Sequence, residues 1–566
     1  MKRKKELVIV LTSLLVIVLS VSVAYFTTKI LGTEKDISVT SADLKVIFTN
    51  GGQDISISDI EPGWTSEKST FSITNETNGI YTYSLVIKDL VNTVKTNGSF
   101  QYKITSTNNG YTMPDFMDLP KSETATDTIL TAGVTIDKDI TQEYTIEYRY
   151  IDRDDIDQSE DMNSKISGKI FIANGTKPTI YQKLLYDNTT RLTRNLKYTY
   201  TEDNTGTLFT TNETQDDSEV YYFAGNNVNN WVKFGYIATA GKCMYKEKEV
   251  LYFNGTSIVS VENKSQCLSS KVCKLGDEYG VGEVVNEELC ANNDGEWLGE
   301  NAHWEITDKT DFYWRIVRTN EDSSVRLLFA GTSTTLTGEG VGNSKYNTFT
   351  DYDTMYDGYM YGTSGSLENN RTNENSSTIK LYMDEVYKNI LLSDFDKYIS
   401  KDAIYCNDRT PSNNSTFNIK GFEYEAYDRI INKKPTLKCK SIEDQFTSET
   451  SNVGNKKLTY PAGLLTADEV YFAGGITNEY NINFNSWLTK TIDPKSKSMT
   501  FLMTPGAFEM LGGLGITGED KSTISDYINN SSPVYPVISI KGCNTWKSGN
   551  GMEENPYEIE YTEGGC

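Results

Sequence analysis

Cysteine is confined to one side of this chain. None precedes Cys243, and eight occur from there on: Cys243, Cys267, Cys273, Cys290, Cys406, Cys439, Cys543 and Cys566. The N-terminal part must therefore fold by burial and backbone pairing alone, whereas the C-terminal part can be stapled covalently. Zinc is the competing reading of such a set. No Cys-x-x-Cys pair exists, however, and the sole histidine, His303, cannot complete a two-cysteine, two-histidine site. Disulfides are the expectation. Proximity along the chain pairs Cys406 with Cys439 and Cys543 with Cys566. The first four pair among themselves in a pattern that spacing leaves open.

Disulfides require an oxidising compartment, and the N-terminus supplies a route to one. Lys2, Arg3, Lys4 and Lys5 precede an uncharged run from Leu7 to Phe26. As a helix that run spans ~30 Å of hydrocarbon at ~1.5 Å per residue. The positive-inside rule keeps the lysines in the cytoplasm and sends the rest of the chain across. Ser22-Val23-Ala24 offers small residues for a signal peptidase, with Tyr25-Phe26 following, while the length of the run equally allows an uncleaved anchor. Residues 1–35 are thus expected to be a signal peptide or signal anchor. The protein would be secreted, or held at the cell surface by a single membrane helix with its C-terminus outside.

The formal net charge is −24, and lysine and arginine cluster only ahead of that run. Such a field repels phosphate backbones and argues against nucleic acid as a partner. The composition includes 37 Tyr against 7 Trp. With many Thr, Ser, Asn and Gly, it suits β-rich, loop-rich extracellular domains.

Residues 36–173 alternate apolar and polar positions with a period near two. Examples are Leu44-Lys-Val46-Ile-Phe48, Ser69-Thr-Phe71-Ser-Ile73-Thr, Tyr144-Thr-Ile-Glu-Tyr-Arg-Tyr150 and Ile166-Ser-Gly-Lys-Ile170-Phe-Ile172. At least six short strands with polar connectors predict a β-sandwich.

Ala24-Tyr-Phe-Thr-Thr28, Val39-Thr-Ser-Ala-Asp-Leu44-Lys-Val46, Ile57-Ser-Asp-Ile-Glu-Pro-Gly63 and Phe71-Ser-Ile-Thr-Asn75 occur in an order that resembles the TasA/camelysin family of Gram-positive exported proteins. The resemblance implies a jelly-roll-like β-sandwich, export through a dedicated signal peptidase, and membership of matrix fibres. Some relatives carry a metalloprotease label. Here there is no His-Glu-x-x-His, and no histidine at all before His303.

Asn174-Gly-Thr-Lys-Pro-Thr179 marks a junction, so 174–187 is expected to be a linker and 188–566 a second domain. Within that domain, about 241–301 reads as a cysteine-rich insertion. Phe312-Tyr-Trp-Arg-Ile-Val-Arg318 and Val325-Arg-Leu-Leu-Phe329 flank a polar tip and predict a hairpin. Ile379, Met383, Val386 and Ile390 recur at helical spacing behind Ser377, a capping residue.

Ile404-Tyr-Cys-Asn-Asp-Arg409, Leu458-Thr-Tyr-Pro-Ala-Gly-Leu-Leu-Thr-Ala-Asp-Glu-Val-Tyr-Phe-Ala-Gly474 and the ending Val534-Tyr-Pro-Val-Ile-Ser-Ile540 with Asn555-Pro-Tyr557-Glu-Ile559 are similar to a set of Firmicutes surface proteins. That similarity implies an α+β domain of the C-type-lectin-like and sulfatase-modifying-factor-like kind. The fold class expected for the whole chain is mainly β: a hydrophobic helix, a sandwich, then this domain.

Candidate chemistry is sparse. His303 stands apart from any nucleophile, so no catalytic residue and no cofactor is expected, and the chain is not read as an enzyme. Asp468 and Glu469 read as a helix start, with Thr466 or Asp468 capping. Asp351, Asp353 and Asp357 cluster oxygen ligands for a weak Ca²⁺ site without matching an EF-hand loop. Loops that interleave aromatics with amides suit ligand binding, and they name Trp231, Tyr359, Tyr361, Tyr480 and Trp487 as candidates. The expected function is adhesion or recognition at the cell surface, directed at a host or microbial glycan or protein. A fibre subunit that self-associates is the alternative, and a carboxylate-dependent hydrolase the third reading.

Overall fold

The computed structural model describes residues 37–566, except 42–43, 50–53, 58–60, 78, 154–155, 175–176, 197–204, 228, 255, 339, 349–357, 364, 393, 413–416, 418–421, 475–485, 493–498, 506, 509–512, 518–522, 527 and 563. The expected leader with its hydrophobic helix, the Ca²⁺ candidates Asp351, Asp353 and Asp357, and Tyr480 all lie outside the described residues. Among the described residues no helix is long and apolar enough to cross a membrane. The chain is mainly β, in several sheets, and its contacts divide it into two compact units, one ending at Thr176 and one beginning at Lys177.

The alternation in the first unit becomes ten strands: β1 (Ile37–Ser41), β2 (Leu44–Thr49), β3 (Asp54–Ile57), β4 (Ser69–Asn75), β5 (Tyr81–Asn92), β6 (Phe100–Ser106), β7 (Met117–Asp118), β8 (Ser122–Ile136), β9 (Thr141–Tyr150) and β10 (Ile166–Asn174). They form two antiparallel sheets, in the orders β1-β2-β4-β9-β6-β7 and β3-β10-β5-β8. The apolar positions of both sheets meet in one core that includes Phe71, Ile73, Leu85, Ile104, Leu130, Ile146 and Ile170. Period-two patterning has its usual cause here: each strand buries one face and leaves the other to water. Asn75 ends β4 as a buried turn. It donates to the Ile136 and Gly79 carbonyls at 2.9 and 2.8 Å and accepts the Thr77 N–H at 2.9 Å.

Of the segment 174–187, expected to be a linker, the part from Ile180 on belongs to the second unit. Ile180–Asp187 is a helix, started by a capping box in which Thr179 and Gln182 exchange side-chain and backbone hydrogen bonds. Ile180 and Leu184 belong to the core of the second unit, and Lys183 pairs with Asp187 at 2.7 Å inside it. The Thr-x-x-Gln spacing fixes a helix N-terminus wherever an apolar face follows, and Ile180 and Leu184 supply that face.

The second unit is built on β11 (Thr190–Leu192), β12 (Thr207–Thr211), β13 (Val220–Tyr222), β14 (Trp231–Tyr245), β20 (His303–Thr319) and β21 (Val325–Gly331), with strands Val537–Ile540 and Tyr557–Ile559 added from the C-terminal end. β14 and β20 run antiparallel from Trp231↔Arg315 to Met244↔His303. The hairpin expected at 312–329 is β20 paired with β21, closing at Thr319↔Val325. Between the far ends of β14 and β20 lies the cysteine-rich insertion. Its strands are β15 (Lys248–Phe253), β16 (Ile258–Ser260), β17 (Lys271–Leu275), β18 (Glu278–Val281) and β19 (Glu296–Asn301), and its short helices are Lys264–Cys267 and Glu287–Asn292.

All eight cysteines are in disulfides. Cys406 bonds Cys439 and Cys543 bonds Cys566, as expected, and the open pattern resolves as Cys243–Cys267 and Cys273–Cys290.

The helix expected behind Ser377 spans Thr378–Ile390 and buries Ile379, Met383 and Tyr387, the tyrosine taking the interior position that Val386 was expected to hold. Ser377 accepts the Lys380 N–H at 3.2 Å. Ser377→Ala is expected to lower stability by about 1 kcal/mol, read as a shifted urea midpoint with unchanged slope.

Candidate functional site

Of the aromatic residues expected to face a ligand, four are described, and all four are in the interior. Trp231, Tyr359, Tyr361 and Trp487 are 3%, 1%, 5% and 1% exposed. For the two tryptophans the reason is a buried arginine. The Arg315 guanidinium lies 4.4 Å from the Trp231 ring centroid and 5.4 Å from that of Trp487. Its Nε and Nη2 donate to Asn230 Oδ1 at 2.6 Å and to the Asn227 carbonyl at 3.0 Å. The amides interleaved with these rings therefore solvate an internal cation, and the indoles stack on it. Tyr359 packs edge-on against Phe446 and donates its N–H to Asn407 at 2.7 Å.

A second polar cluster lies near the start of helix Ala467–Gly474. Thr466 and Glu469 form a capping box, with N–H to side-chain distances of 3.0 and 3.1 Å. The Glu469 carboxylate also takes Arg318 Nε at 2.9 Å and Arg326 Nη1 at 2.6 Å. Burial pushes the Glu469 carboxyl up, but Arg326, Arg318 and the Thr466 N–H outweigh it and hold it at about 2. Arg429 bridges Asp468, at 2.7 Å, and Asp408. These carboxylates are neutralised by guanidinium groups, and the cavity between them is only about 20 Å³. Their geometry is that of a structural network.

A larger recess, about 610 Å³, lies where the insertion meets the body of the second unit. One wall is the middle of β14 with Trp304 of β20. The other is formed by 394–398 and the C-terminal Tyr561-Thr562, and the helix Lys264–Cys267 closes one side. Four separate segments bring the aromatic rings together. Tyr236 meets Phe395 edge-on at 5.0 Å, and Tyr561 lies 5.3 Å from both Phe395 and Tyr398. The Tyr561 hydroxyl is anchored by the Gly235 N–H at 2.8 Å, yet the residue remains 45% exposed. Burial of that hydroxyl end raises its pKa.

Trp304 reaches the recess by lying flat over Gly241. A Cβ at Gly241 would come within 2.4 Å of the indole, so only glycine permits this approach. Lys264 pairs with Asp394 at 2.9 Å between the insertion and the body. Since the helix carrying Lys264 ends at Cys267, the Cys243–Cys267 disulfide ties this wall to β14.

The recess combines partly exposed ring faces with amide, hydroxyl and charged groups, including Asn263, Thr239, Glu262 and Lys397. It can stack on apolar faces and hydrogen-bond to hydroxyls. Among the described residues no group of three or more His, Cys, Asp or Glu side chains converges as a metal site.

None of these lining residues was singled out in the sequence as a ligand contact. The segment 301–305 drew notice only for His303, which is exposed on β20, while its neighbour Trp304 is the one that enters the recess. No protein-family model matches the chain, and a search of curated proteins finds no significant match.

Proposed function

We propose that this protein is an exported recognition protein of the cell surface and that its second unit binds a glycan in the aromatic recess. The observation that carries this reading is the convergence of Tyr236, Trp304 and Tyr561 on one open recess beside hydrogen-bonding groups. Rings of this kind stack on the C–H faces of sugars, while the polar rim reads hydroxyl positions. Four disulfides support an oxidising, extracellular setting.

In this reading the two-sheet first unit is a TasA-like jelly roll serving as stalk, and the second unit is a C-type-lectin-like head. Residues 1–35 attach the protein to the membrane or are removed after export.

The test is a glycan array probed with the full chain, followed by titration of the best hit. Tyr561→Ala is expected to weaken binding by about 2 kcal/mol, roughly thirtyfold in Kd, and Trp304→Ala by a comparable amount. Trp487→Phe, which alters a buried ring remote from solvent, serves as the contrast. Unchanged affinity in both cleft variants would remove the recess from consideration.

A further inference from the structure

The insertion carries a second, smaller pocket on its own sheet. Strand register places Leu251 of β15, Gly280 of β18 and Cys273 of β17 in one cross-strand row. The middle member of that row has no side chain. A Cβ at Gly280 would meet nothing nearer than the Leu251 and Cys273 carbonyl oxygens, both at 3.9 Å. The gap is walled by Phe253, Leu275, Val285 and Leu289 and has a volume of about 130 Å³. Cys273–Cys290 clamps the helix Glu287–Asn292 beside it.

The rim is apolar on one side and acidic on the other. Ile258 and Val284 are 51% and 47% exposed. Glu278 lines the gap, and Asp277, Glu283, Glu287 and Glu288 are exposed on the segments that carry its lining residues Tyr279, Val285 and Leu289. Of the lysines on these strands, Lys274 is taken by Glu296 at 3.5 Å, Lys248 lies 6.0 Å from the Tyr279 ring, and Lys271 is exposed at the start of β17, two residues before Cys273. Among the described strands β16 pairs only with β15, and all three of its residues are exposed. Its free edge is separated from Gly280 by β15 and β16 themselves, so a side chain seated in the gap comes from a chain lying over the face of the sheet.

The geometry points to a docking site for a short polypeptide segment that places one aliphatic side chain in the Gly280 gap, flanked by lysine or arginine. The pocket takes the side chain and the acidic rim takes the cations. This site is distinct from the aromatic recess and does not depend on it.

The test measures fluorescence anisotropy of labelled Lys-Lys-Leu-Lys-Lys, blocked at both ends, against the full chain. Saturable binding is expected, weakened at least about tenfold when Ser replaces Leu in the peptide. It should weaken further as salt rises from about 50 to about 300 mM. Gly280→Val fills the gap and is expected to abolish binding while all four disulfides and the circular dichroism spectrum are retained. Ile258→Asp, at an exposed position, is the second variant should Gly280→Val misfold, and the same loss is expected. Equal binding of the Leu and Ser peptides, or wild-type affinity in the folded variants, would overturn the proposal. So would preferential capture of zwitterionic phosphatidylcholine vesicles that the same variants abolish.

Discussion

Glu469→Gln is expected to destabilise the second unit by about 3 kcal/mol, because it removes the carboxylate that two buried guanidinium groups share and leaves Arg318 only the more distant Glu321, at 4.0 Å. Arg318 and Arg326 are 8% and 1% exposed at the side chain and share the one carboxylate. Glutamine keeps the shape and one acceptor for the Thr466 N–H, so the helix cap survives and the loss reports the charge. Glu469→Ala also removes the acceptor of the Thr466 N–H, although the Thr466 hydroxyl still caps the backbone N–H at position 469, and should cost about 1 kcal/mol more. The exposed pair Lys388–Glu385, at 3.9 Å, sets the lower end of the scale, and Glu385→Gln should change stability by less than about 0.5 kcal/mol.

The same carboxylate makes a prediction about acid. Its folded pKa, about 2, lies below the value near ~4.3 expected in the unfolded chain. A depressed carboxyl contributes stability that is present above the unfolded value and is lost as pH falls toward the folded one. Between roughly pH 4.5 and pH 2 the wild-type protein should therefore lose about 3 kcal/mol through this group, whereas Glu469→Gln should lack that component. Urea midpoints of the second unit across that window measure the difference. Parallel slopes for the two proteins would show that Glu469 is not the group responsible.

How much of this was legible in the sequence depends on whether the signal was local. The strands of the first unit were readable because alternation is a property of neighbours: Phe71, Ile73 and Asn75 sit two apart, and all three are buried. Cys406–Cys439 and Cys543–Cys566 were readable for the same reason. The linker misreading came from weighing Gly, Lys and Pro over the Thr179-x-x-Gln182 spacing that starts a helix.

The recess was not legible, since Tyr236, Trp304, Phe395 and Tyr561 become neighbours only after β14, β20 and the C-terminal segment have docked. The loops that did look like a binding site turn inward instead. Asn227 and Asn230 serve Arg315, and Asn229 donates to Asn188 at 2.8 Å. An aromatic–amide loop has one composition whether its cation is a ligand or a buried arginine, and only the position of Arg315 on the adjacent strand separates the two.

Reduction should unfold the insertion before the rest of the second unit, and glycan binding should be lost with it. The insertion's own core is small: Cys243, Tyr245, Val250, Cys267, Val272, Val281 and Ala302, of which two are the halves of one disulfide. A segment of this size buries too little apolar surface to offset its chain entropy without covalent help. Cys243–Cys267 and Cys273–Cys290 close loops with sequence separations of 24 and 17, each contributing about 3 kcal/mol in the chain-entropy description. The body has an extensive core that includes Trp314, Leu327, Tyr387, Leu464, Val470 and Ile538, and it does not rely on these bonds.

Cys243→Ser combined with Cys267→Ser should therefore expose protease sites within 242–302 while the body resists digestion, as seen by limited proteolysis and mass spectrometry. Since Cys267 ends the helix that carries Lys264, the wall holding the Lys264–Asp394 pair is released at the same time. Glycan affinity should fall in step with the appearance of the insertion fragments. A single transition in which body and insertion unfold together would mean that the two share one cooperative core. The recess would then be a seam within that core and not a junction held open by a staple.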